Sequence, residues 1–167
     1  MNTVHLGIGS NQGDRLEFIV SSLPRLARAG LSVRKVSSIY ETEPVSPVPQ
    51  DPYLNCALRA VTRLSPREVL DRCLAIEAAA GRVRRQDGES RPLDLDILLF
   101  GQSVITEPGL TIPHPRMTAR RFVLTPMAEA FPGTRHPVSG RSMRQLLREC
   151  ADPHQVVLYC KAPPLSL

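Results

Sequence analysis

The chain contains 167 residues, of which 42% are hydrophobic, 22% charged and 4% aromatic, and its formal net charge is +5. This length predicts one domain over residues 1–167, with a core over about residues 4–150 and a short C-terminal extension. No apolar run approaches the roughly 18 residues of a membrane-spanning helix. The four cysteines are far apart and form no C-x-x-C pair, which argues against a zinc cage and a disulfide framework. We therefore expect a globular protein of the cytoplasm.

The first part of the chain alternates strand and helix patterns. The predicted elements are a strand over residues 4–10 ending in a tight glycine-rich turn at 7–11, a helix over 15–29 that contains Pro24, a strand over 31–40, and a proline-rich loop over 41–52. A loop of this length between strands is more typical of a ligand-binding segment than of a simple connection.

A strand over residues 53–64 precedes the helix with the clearest boundaries. Ser65 is its predicted N-cap, Pro66 fits the first helical position, Glu68 completes a capping box, and Gly81 ends it. The remaining pattern predicts a polar loop over 82–92, an apolar strand over 93–100, short strands at 104–105 and 110–112, a helix over 121–131 broken near Pro126, and a capped helix over 142–150. The order β-α-β-β-α-β predicts an α+β fold with a ferredoxin-like core and extra C-terminal helices and short strands.

Two carboxylates mark the apolar strand at residues 93–100. Asp94 and Asp96 are two residues apart, so on a strand their side chains point to one face, roughly 6.5–7 Å apart along the backbone. Like charges converging there raise each other's pKa unless a cation lies between them, and hard oxygen ligands suit Mg²⁺. The pair is a candidate metal site. A solvated pair, or one bridged to arginine, gives the same pattern.

Arginine is the dominant cation, since only two of the 21 basic residues are lysines. Genomic base composition explains such a bias, but four arginines stand directly before the Asp pair: Arg82, Arg84, Arg85 and Arg91. Guanidinium groups grip phosphate oxygens through a planar fork, and together with Mg²⁺ they suit a polyphosphate. An exposed basic loop on a basic protein is the alternative.

Further polar groups flank this loop. Tyr53 and Asn55 share one strand face, and an aromatic ring beside an amide suits a planar heterocycle, although a cross-strand tyrosine and a buried asparagine are the commoner explanation. His114 lies between two prolines near several arginines, where it is either a phosphate contact or an ordinary surface or core histidine. The Gly7-x-Gly9 segment lacks the residues of a nucleotide-binding loop, and we interpret it as a structural turn.

Together these segments resemble the 6-hydroxymethyl-7,8-dihydropterin pyrophosphokinase family. The stretch R-P-L-D-L-D-I-L at residues 91–98 is similar to the family's R-x-L-D-L-D-I-x signature. The other family motifs occur in order and cover most of residues 4–150: Gly7-x-Gly9-Ser10-Asn11, Ser37-Ser38-x-Tyr40-x-Thr42, Tyr53-x-Asn55, Ile76-Glu77-x3-Gly81-Arg82, Pro113-His114-x2-Met117 and Arg120-x-Phe122.

The resemblance implies transfer of the terminal diphosphate of ATP to the hydroxymethyl oxygen of the pterin, with release of AMP, in folate synthesis. It also implies a ferredoxin-like fold and a monomeric cytosolic enzyme. Its implied metal ligands are Asp94 and Asp96, which would hold two Mg²⁺ on the ATP phosphates, with Arg82 and Arg91 as phosphate-binding catalytic residues. The implied nucleotide contacts are Glu77, Arg84, Ile97, Thr111, His114 and Arg120. The implied pterin pocket consists of Thr42, Val45, Tyr53, Asn55 and Phe122, with the ring stacked between Tyr53 and Phe122.

Attack at the β-phosphorus needs alignment, charge neutralisation and dryness more than a strong base. No histidine or glutamate of the motifs is an obvious base, so we expect metal-assisted or water-mediated proton loss to suffice. Two alternatives remain. A two-metal nucleotidyltransferase uses a similar Asp pair, and a basic nucleic-acid-binding module would explain the charge. The second would interleave arginines with stacking aromatics, a pattern this chain lacks, so we expect no nucleic-acid partner.

Overall fold

A computed structural model of the chain describes residues 1–47, 49–81 and 90–165. These residues contain eight strands, four α-helices and a short 3₁₀ turn. In chain order they are β1 (Asn2–Ser10), α1 (Arg15–Arg28), β2 (Ser32–Val36), β3 (Ile39–Thr42), β4 (Tyr53–Thr62), α2 (Pro66–Ala79), β5 (Asp94–Phe100), β6 (Ile105–Glu107), β7 (Leu110–Ile112), the 3₁₀ turn Met117–Ala119, α3 (Arg121–Ala130), α4 (Met143–Glu149) and β8 (Val156–Cys160).

The main sheet has the strand order β5-β1-β4-β3-β8, with β2 beside the other end of β4. All of its pairs are antiparallel. With β2 and β3 counted as one interrupted strand, the order is that of a ferredoxin-like β-α-β-β-α-β unit, to which β8 adds an edge. A separate hairpin of β6 and β7 completes the strands. The predicted α+β fold with C-terminal additions is confirmed.

Local capping chemistry sets the helix boundaries. At α2, Ser65 Oγ accepts from the Glu68 N–H and the Glu68 carboxylate accepts from the Ser65 N–H, with Pro66 in the first turn. Gly81, at φ +88°, follows this helix where a left-handed residue is required. The N-cap of α4 is Ser142, in a second capping box. The predicted boundaries of both helices are confirmed to within a residue or two.

One continuous strand over residues 31–40, followed by a loop from 41, is wrong. The strand breaks at Ser37 and Ser38, and β3 continues to Thr42. Ser37 Oγ accepts from the Ala57 N–H at 2.9 Å, while the Ser38 N–H donates to the Glu129 carboxylate at 3.1 Å. These side chains satisfy backbone groups that a regular ladder would otherwise pair, so the break leaves them bonded.

The predicted break of the third helix near Pro126 is also wrong, because α3 runs through this residue. Proline removes one hydrogen bond of the helix, but the backbone stays helical on both sides of the buried Pro126. Strand β8 was not predicted. The tight turn predicted at residues 7–11 is likewise a misreading, since Gly7 and Gly9 lie inside β1.

The sheet is covered on both faces. One face packs against α1 and α2 through side chains such as Ile19, Leu26 and Val69. The other packs against α3 and α4 through Leu124, Met127 and Met143. Along β1, Val4, Leu6 and Ile8 belong to the first core, so the alternating Gly7 and Gly9 face the side of α3. Across residues 1–47, 49–81 and 90–165, no helix is long and apolar enough to cross a membrane.

Candidate functional site

A cavity of about 300 Å³ opens where the ends of β1, β4 and β5 meet the start of α3. Its walls also include the segment after β3 and part of α2. Most of the site residues expected from the sequence line it: Thr42, Val45, Tyr53, Asn55, Glu77, Arg91, Asp94, Asp96, His114, Arg120 and Phe122. The fold therefore brings together side chains that are up to 80 positions apart in the chain.

One half of the cavity is built by β3 and β4. Thr42 pairs with Tyr53 across these strands, and Asn55 Nδ2 donates to Thr42 Oγ1 at 2.7 Å. Asn55 is buried, so its amide is held at one orientation by this bond. Val45 is exposed at the cavity, and Phe122 enters from α3. This half offers an oriented amide and hydroxyl beside two aromatic rings, which suits a flat polar heterocycle.

The other half is acidic and basic at once. The alternation of β5 places Asp94 and Asp96 on the cavity side, as predicted. Arg91 Nη1 lies 3.0 Å from Asp94 Oδ1, and His114 Nε2 lies 3.9 Å from Asp96 Oδ2. Arg120 stacks its guanidinium over the Phe122 ring at 5.4 Å from the ring centre. This half combines carboxylates with cations, as a phosphate chain with a divalent metal requires.

His114 is held as a neutral donor. Burial, followed by the charges of Arg120 and Arg116, lowers its pKa to about 4. Its Nδ1 accepts from the Arg116 N–H at 3.2 Å, which leaves the proton on Nε2, on the side of Asp96. At neutral pH the ring therefore presents an N–H donor to the acidic half without adding a charge.

Glu77 forms a hydrogen bond with β5, the strand that carries the two aspartates. It is buried on α2, and its Oε1 accepts from the Leu95 N–H at 2.7 Å, between the two aspartates. Since Glu77 also lines the cavity, its nucleotide contact stays a prediction beside this observed contact with β5.

The structure does not bring every expected residue to the cavity. Ile97 is on the opposite face of β5 from Asp96, in the core under α1 and α2. Thr111 is exposed on β7, paired with Thr106. Their nucleotide contacts stay predictions. Arg82 and Arg84 lie outside the described residues.

Two residues of the first family motif, Gly9 and Asn11, have roles at the site that the sequence did not indicate. Gly9 pairs with Asn55 on one side and Asp94 on the other, so it lies where the two halves meet. A Cβ at this position would be 2.7 Å from Asn55 Oδ1. Two glycines spaced by two in a strand are the sequence signal for such a close approach, and the predicted turn does not occur here.

Asn11 is the second of these residues, and its side chain bonds to three other parts of the chain. Its Oδ1 accepts from the Arg91 N–H at 2.7 Å, and its Nδ2 lies within hydrogen-bond distance of Gln50 Oε1, the Asp51 carbonyl and Ser90 Oγ. It is buried, and it fixes the backbone at Arg91 against the loop before β4.

The acidic half of the cavity carries the kind of oxygen ligands that Mg²⁺ prefers. Asp94 and Asp96 are hard oxygen donors on one wall of the cavity. No group of three or more histidine, cysteine, aspartate or glutamate side chains able to hold a metal occurs within the part of the chain that the structure describes. Mg²⁺ is usually bound through one or two carboxylates together with substrate phosphates and water, so two carboxylates are a sufficient protein contribution.

The chain is similar in sequence to a family of known proteins. A family model described as 7,8-dihydro-6-hydroxymethylpterin-pyrophosphokinase (HPPK) matches residues 5–132. The 2-amino-4-hydroxy-6-hydroxymethyldihydropteridine pyrophosphokinase of Bacillus subtilis (strain 168) is 43% identical over 129 residues, which is 77% of each chain. The protein of the same name from Aquifex aeolicus (strain VF5) is 35% identical over 149 residues, covering 89% of this chain and 92% of that one.

Some similar proteins are much longer. The chain spans 20% of the folic acid synthesis protein fol1 of Pneumocystis carinii, to which it is 34% identical over 149 residues. It covers 44% of the solved wild-type HPPK-DHPS chain of Plasmodium falciparum, with a TM-score of 0.70 at 15% identity over 89% of this chain. At that identity the likeness shows the fold alone. The family match and the curated relatives confirm the resemblance drawn from the motifs, and the chain belongs to the 7,8-dihydro-6-hydroxymethylpterin-pyrophosphokinase family.

Proposed function

We propose that the chain transfers the terminal diphosphate of ATP to the hydroxymethyl oxygen of 6-hydroxymethyl-7,8-dihydropterin and releases AMP, a step of folate biosynthesis. Family membership assigns the enzyme class, an ATP-dependent pyrophosphokinase. The observation that carries the reaction is the juxtaposition at Gly9, where a heterocycle-binding half and a phosphate-binding half share one cavity. That arrangement holds an acceptor and a nucleotide side by side.

In the reaction the hydroxymethyl oxygen forms a bond to the β-phosphorus of ATP. The bond from that phosphorus to the oxygen bridging to the α-phosphorus breaks, and AMP leaves with this oxygen. The hydroxyl proton passes to water, so the step requires no protein base. In-line transfer depends on alignment of acceptor and phosphorus, so the protein contributes chiefly by fixing both.

The pterin is held by groups already oriented before it binds. The Asn55 amide and the Thr42 hydroxyl, bonded at 2.7 Å, present polar atoms to the edge of the ring system. Tyr53 and Phe122 supply the flat surfaces between which the ring stacks. Because Asn55 and Thr42 brace each other, little side-chain freedom is lost on binding, which favours affinity.

The phosphates are held by donors of two kinds. Arg91 and Arg120 bring positive charge, while the neutral His114 donates from Nε2. Arg82 and Arg84 are proposed to add phosphate contacts from the preceding loop. Asp94 and Asp96 would hold the Mg²⁺ ions, whose charge neutralises the phosphate oxygens when they are bound. These groups together spread the charge that develops on the transferring diphosphate.

Further properties follow from the same proposal. We propose that residues 1–167 form one domain acting as a monomer in the cytoplasm, without a nucleic-acid partner. All four cysteines are free, which supports a reducing compartment.

The test is AMP release from ATP and Mg²⁺, with and without 6-hydroxymethyl-7,8-dihydropterin. We expect AMP only when the pterin is present. Asp96→Asn keeps the size of the side chain but removes its charge, and it should lower kcat by roughly a hundredfold or more. The matched control is Glu107→Gln on the β6–β7 hairpin, where the carboxylate pairs with Arg67 away from the cavity. Absence of pterin-dependent AMP from the native protein would refute the proposal.

A further inference from the structure

The C-terminal segment of residues 152–160, the C-terminal strap, connects the two walls of the pterin half. It lies beyond residues 5–132, the part matched by the family model. The strap begins at the start of α3, the helix that carries Phe122, and continues as β8 along β3, the strand that carries Thr42. Two elements that line one pocket are therefore joined by a single short stretch of chain.

At the α3 wall, the strap caps the helix. Arg120, the N-cap residue, makes no side-chain capping bond. Instead Asp152 Oδ2 accepts from the Arg121 N–H at 2.9 Å. The Arg121 guanidinium returns two bonds of 2.8 Å, to the carbonyls of Asp152 and Cys150. A carboxylate at the N-terminal end of a helix accepts from an N–H group that has no partner within the helix. Its negative charge also interacts favourably with the positive end of the helix dipole.

The Asp152 carboxylate is itself well anchored. Its side chain is 6% exposed, and Oδ1 contacts His154 Nδ1 at 2.5 Å and accepts from the His154 N–H at 3.1 Å. Although burial opposes it, the hydrogen bonds from Arg121 and His154 lower the pKa of Asp152. The cap is therefore a charged group fixed in place, and it acts on the first turn of α3, one residue before Phe122.

At the β3 wall, the strap is bonded three residues later. The Gln155 N–H donates to Glu43 Oε2 at 3.1 Å, and the Glu43 N–H donates to the Gln155 carbonyl at 3.4 Å. Thr42 then pairs with Val156. Thr42 and Glu43 line the same cavity as Phe122. The bond to α3 at Asp152 and the bond to the end of β3 at Gln155 are thus only three residues apart in the strap.

We infer that Asp152 is a positioning residue for pterin binding, which sets Phe122 against the Thr42–Asn55 wall by fixing the start of α3 to the strap. This inference rests on the proposed function. Asp152 does not touch the substrate. Its loss frees the first turn of α3, and the Phe122 ring is then no longer held at a fixed distance from Thr42 and Asn55. The long Arg120 side chain can still reach the phosphates after such a shift. The affinity for the pterin therefore falls, and the affinity for ATP does not.

The test compares Asp152→Ala, Asp152→Asn and the matched control Glu149→Ala by steady-state kinetics and thermal unfolding. Glu149 is a carboxylate three residues earlier, on α4, and it pairs with Arg141 away from the cavity. We expect Asp152→Ala to raise the pterin KM about tenfold, with the ATP KM and kcat within about twofold of the native values. Asp152→Asn retains an acceptor oxygen and should raise the pterin KM only about threefold. Glu149→Ala should match the native protein.

A purely structural role would give a different pattern, because a partly unfolded sample loses kcat at an unchanged KM. That pattern in Asp152→Ala, or an equal rise of pterin KM in Glu149→Ala, would overturn the inference. If Asp152→Ala shows no folded state, an unchanged pterin KM in the folded Asp152→Asn variant overturns it instead. A native protein without pterin-dependent AMP release would refute the proposed function, which is a separate failure.

Discussion

Gly9 is the point where the pterin half and the phosphate half of the cavity meet, since β1 pairs it with Asn55 on one side and with Asp94 on the other. The residue has no positive φ, so alanine fits the backbone there without strain. Any effect of Gly9→Ala must therefore come from the added methyl group itself.

The size of the effect follows from the distances. The new Cβ would lie 2.7 Å from Asn55 Oδ1, and since contact is unstrained only beyond 3.4 Å, the amide must move by about 0.7 Å. Asn55 cannot turn freely, because its Nδ2 bonds to Thr42 Oγ1 at 2.7 Å. Displacing the amide removes one hydrogen bond between Asn55 and the pterin edge, which costs about 1–1.5 kcal/mol of binding free energy. We therefore expect the pterin KM to rise about tenfold.

Gly7→Ala is the matched control, two residues earlier on the same face of β1. Its Cβ would meet Leu98 Cδ2 at 3.5 Å, an ordinary contact with an apolar side chain. We expect the pterin KM of this variant to stay within about twofold of the native value, in keeping with a contact that needs no shift.

The assay measures AMP formation at varied pterin and saturating ATP for the native protein and both variants, with urea unfolding to establish that all three are folded. A pterin KM that rises in Gly9→Ala alone supports the account. Equal changes in the two variants, or a native-like KM in Gly9→Ala, would show that the Asn55 amide is not what binds the pterin edge.

Three further predictions concern stability and charge. Replacing Leu58, which is 0% exposed, by alanine should lower the free energy of unfolding by about 2–5 kcal/mol. Replacing Val157, which is 58% exposed, by alanine should lower it by less than about 0.5 kcal/mol, and urea unfolding measures both changes. Burial, followed by the charge of Arg59, lowers the pKa of His5 from 6.5 to about 4. The unfolded chain then binds the proton first, so stability falls by about 3 kcal/mol as pH drops from 6.5 to 4, a loss that His5→Leu should remove from the pH profile of unfolding. Arg91→Lys should lower kcat about tenfold or more at saturating substrates, because an ammonium cannot make the paired contacts of a guanidinium; a native kcat would exclude Arg91 from phosphate binding.

Local chemistry made a large part of the fold predictable. The capping box at Ser65 and Glu68 involves side chains three residues apart, so its geometry follows from the sequence alone. The shared face of Asp94 and Asp96 follows in the same way from strand alternation. The chain order of strands and helices then limits the topology to very few arrangements.

Contacts between distant residues were not predictable in this way. The strand break at Ser38 depends on Glu129, which is 91 positions away, and the N–H of Leu95 depends on Glu77 from a helix beneath it. No periodicity encodes such partners. Arg121 shows the same limit of sequence-based prediction beside the site. It follows Arg120 in a basic stretch, yet its guanidinium bonds to the carbonyls of Cys150 and Asp152 and not into the cavity.

The site residues themselves came mainly from the family resemblance. Taken alone, Tyr53 and Asn55 are compatible with an ordinary strand, and His114 is compatible with an ordinary surface or core position. Only the ordered set of motifs indicates that these residues form a binding site. The structure adds why these residue types are needed, as in the Thr42 bond that orients Asn55. It also gives a role to Asn11, a motif residue to which the sequence assigned none: its amide joins Arg91 to the loop before β4.

The fate of each phosphorus of ATP tests the central claim most directly. Parallel reactions with α-³²P-labelled and γ-³²P-labelled ATP, each with 6-hydroxymethyl-7,8-dihydropterin and Mg²⁺, are separated by thin-layer chromatography. Diphosphate transfer predicts that the γ label moves with the pterin and the α label appears in AMP. An α label on the pterin with free diphosphate, or a γ label on the pterin with ADP as the other product, would contradict it.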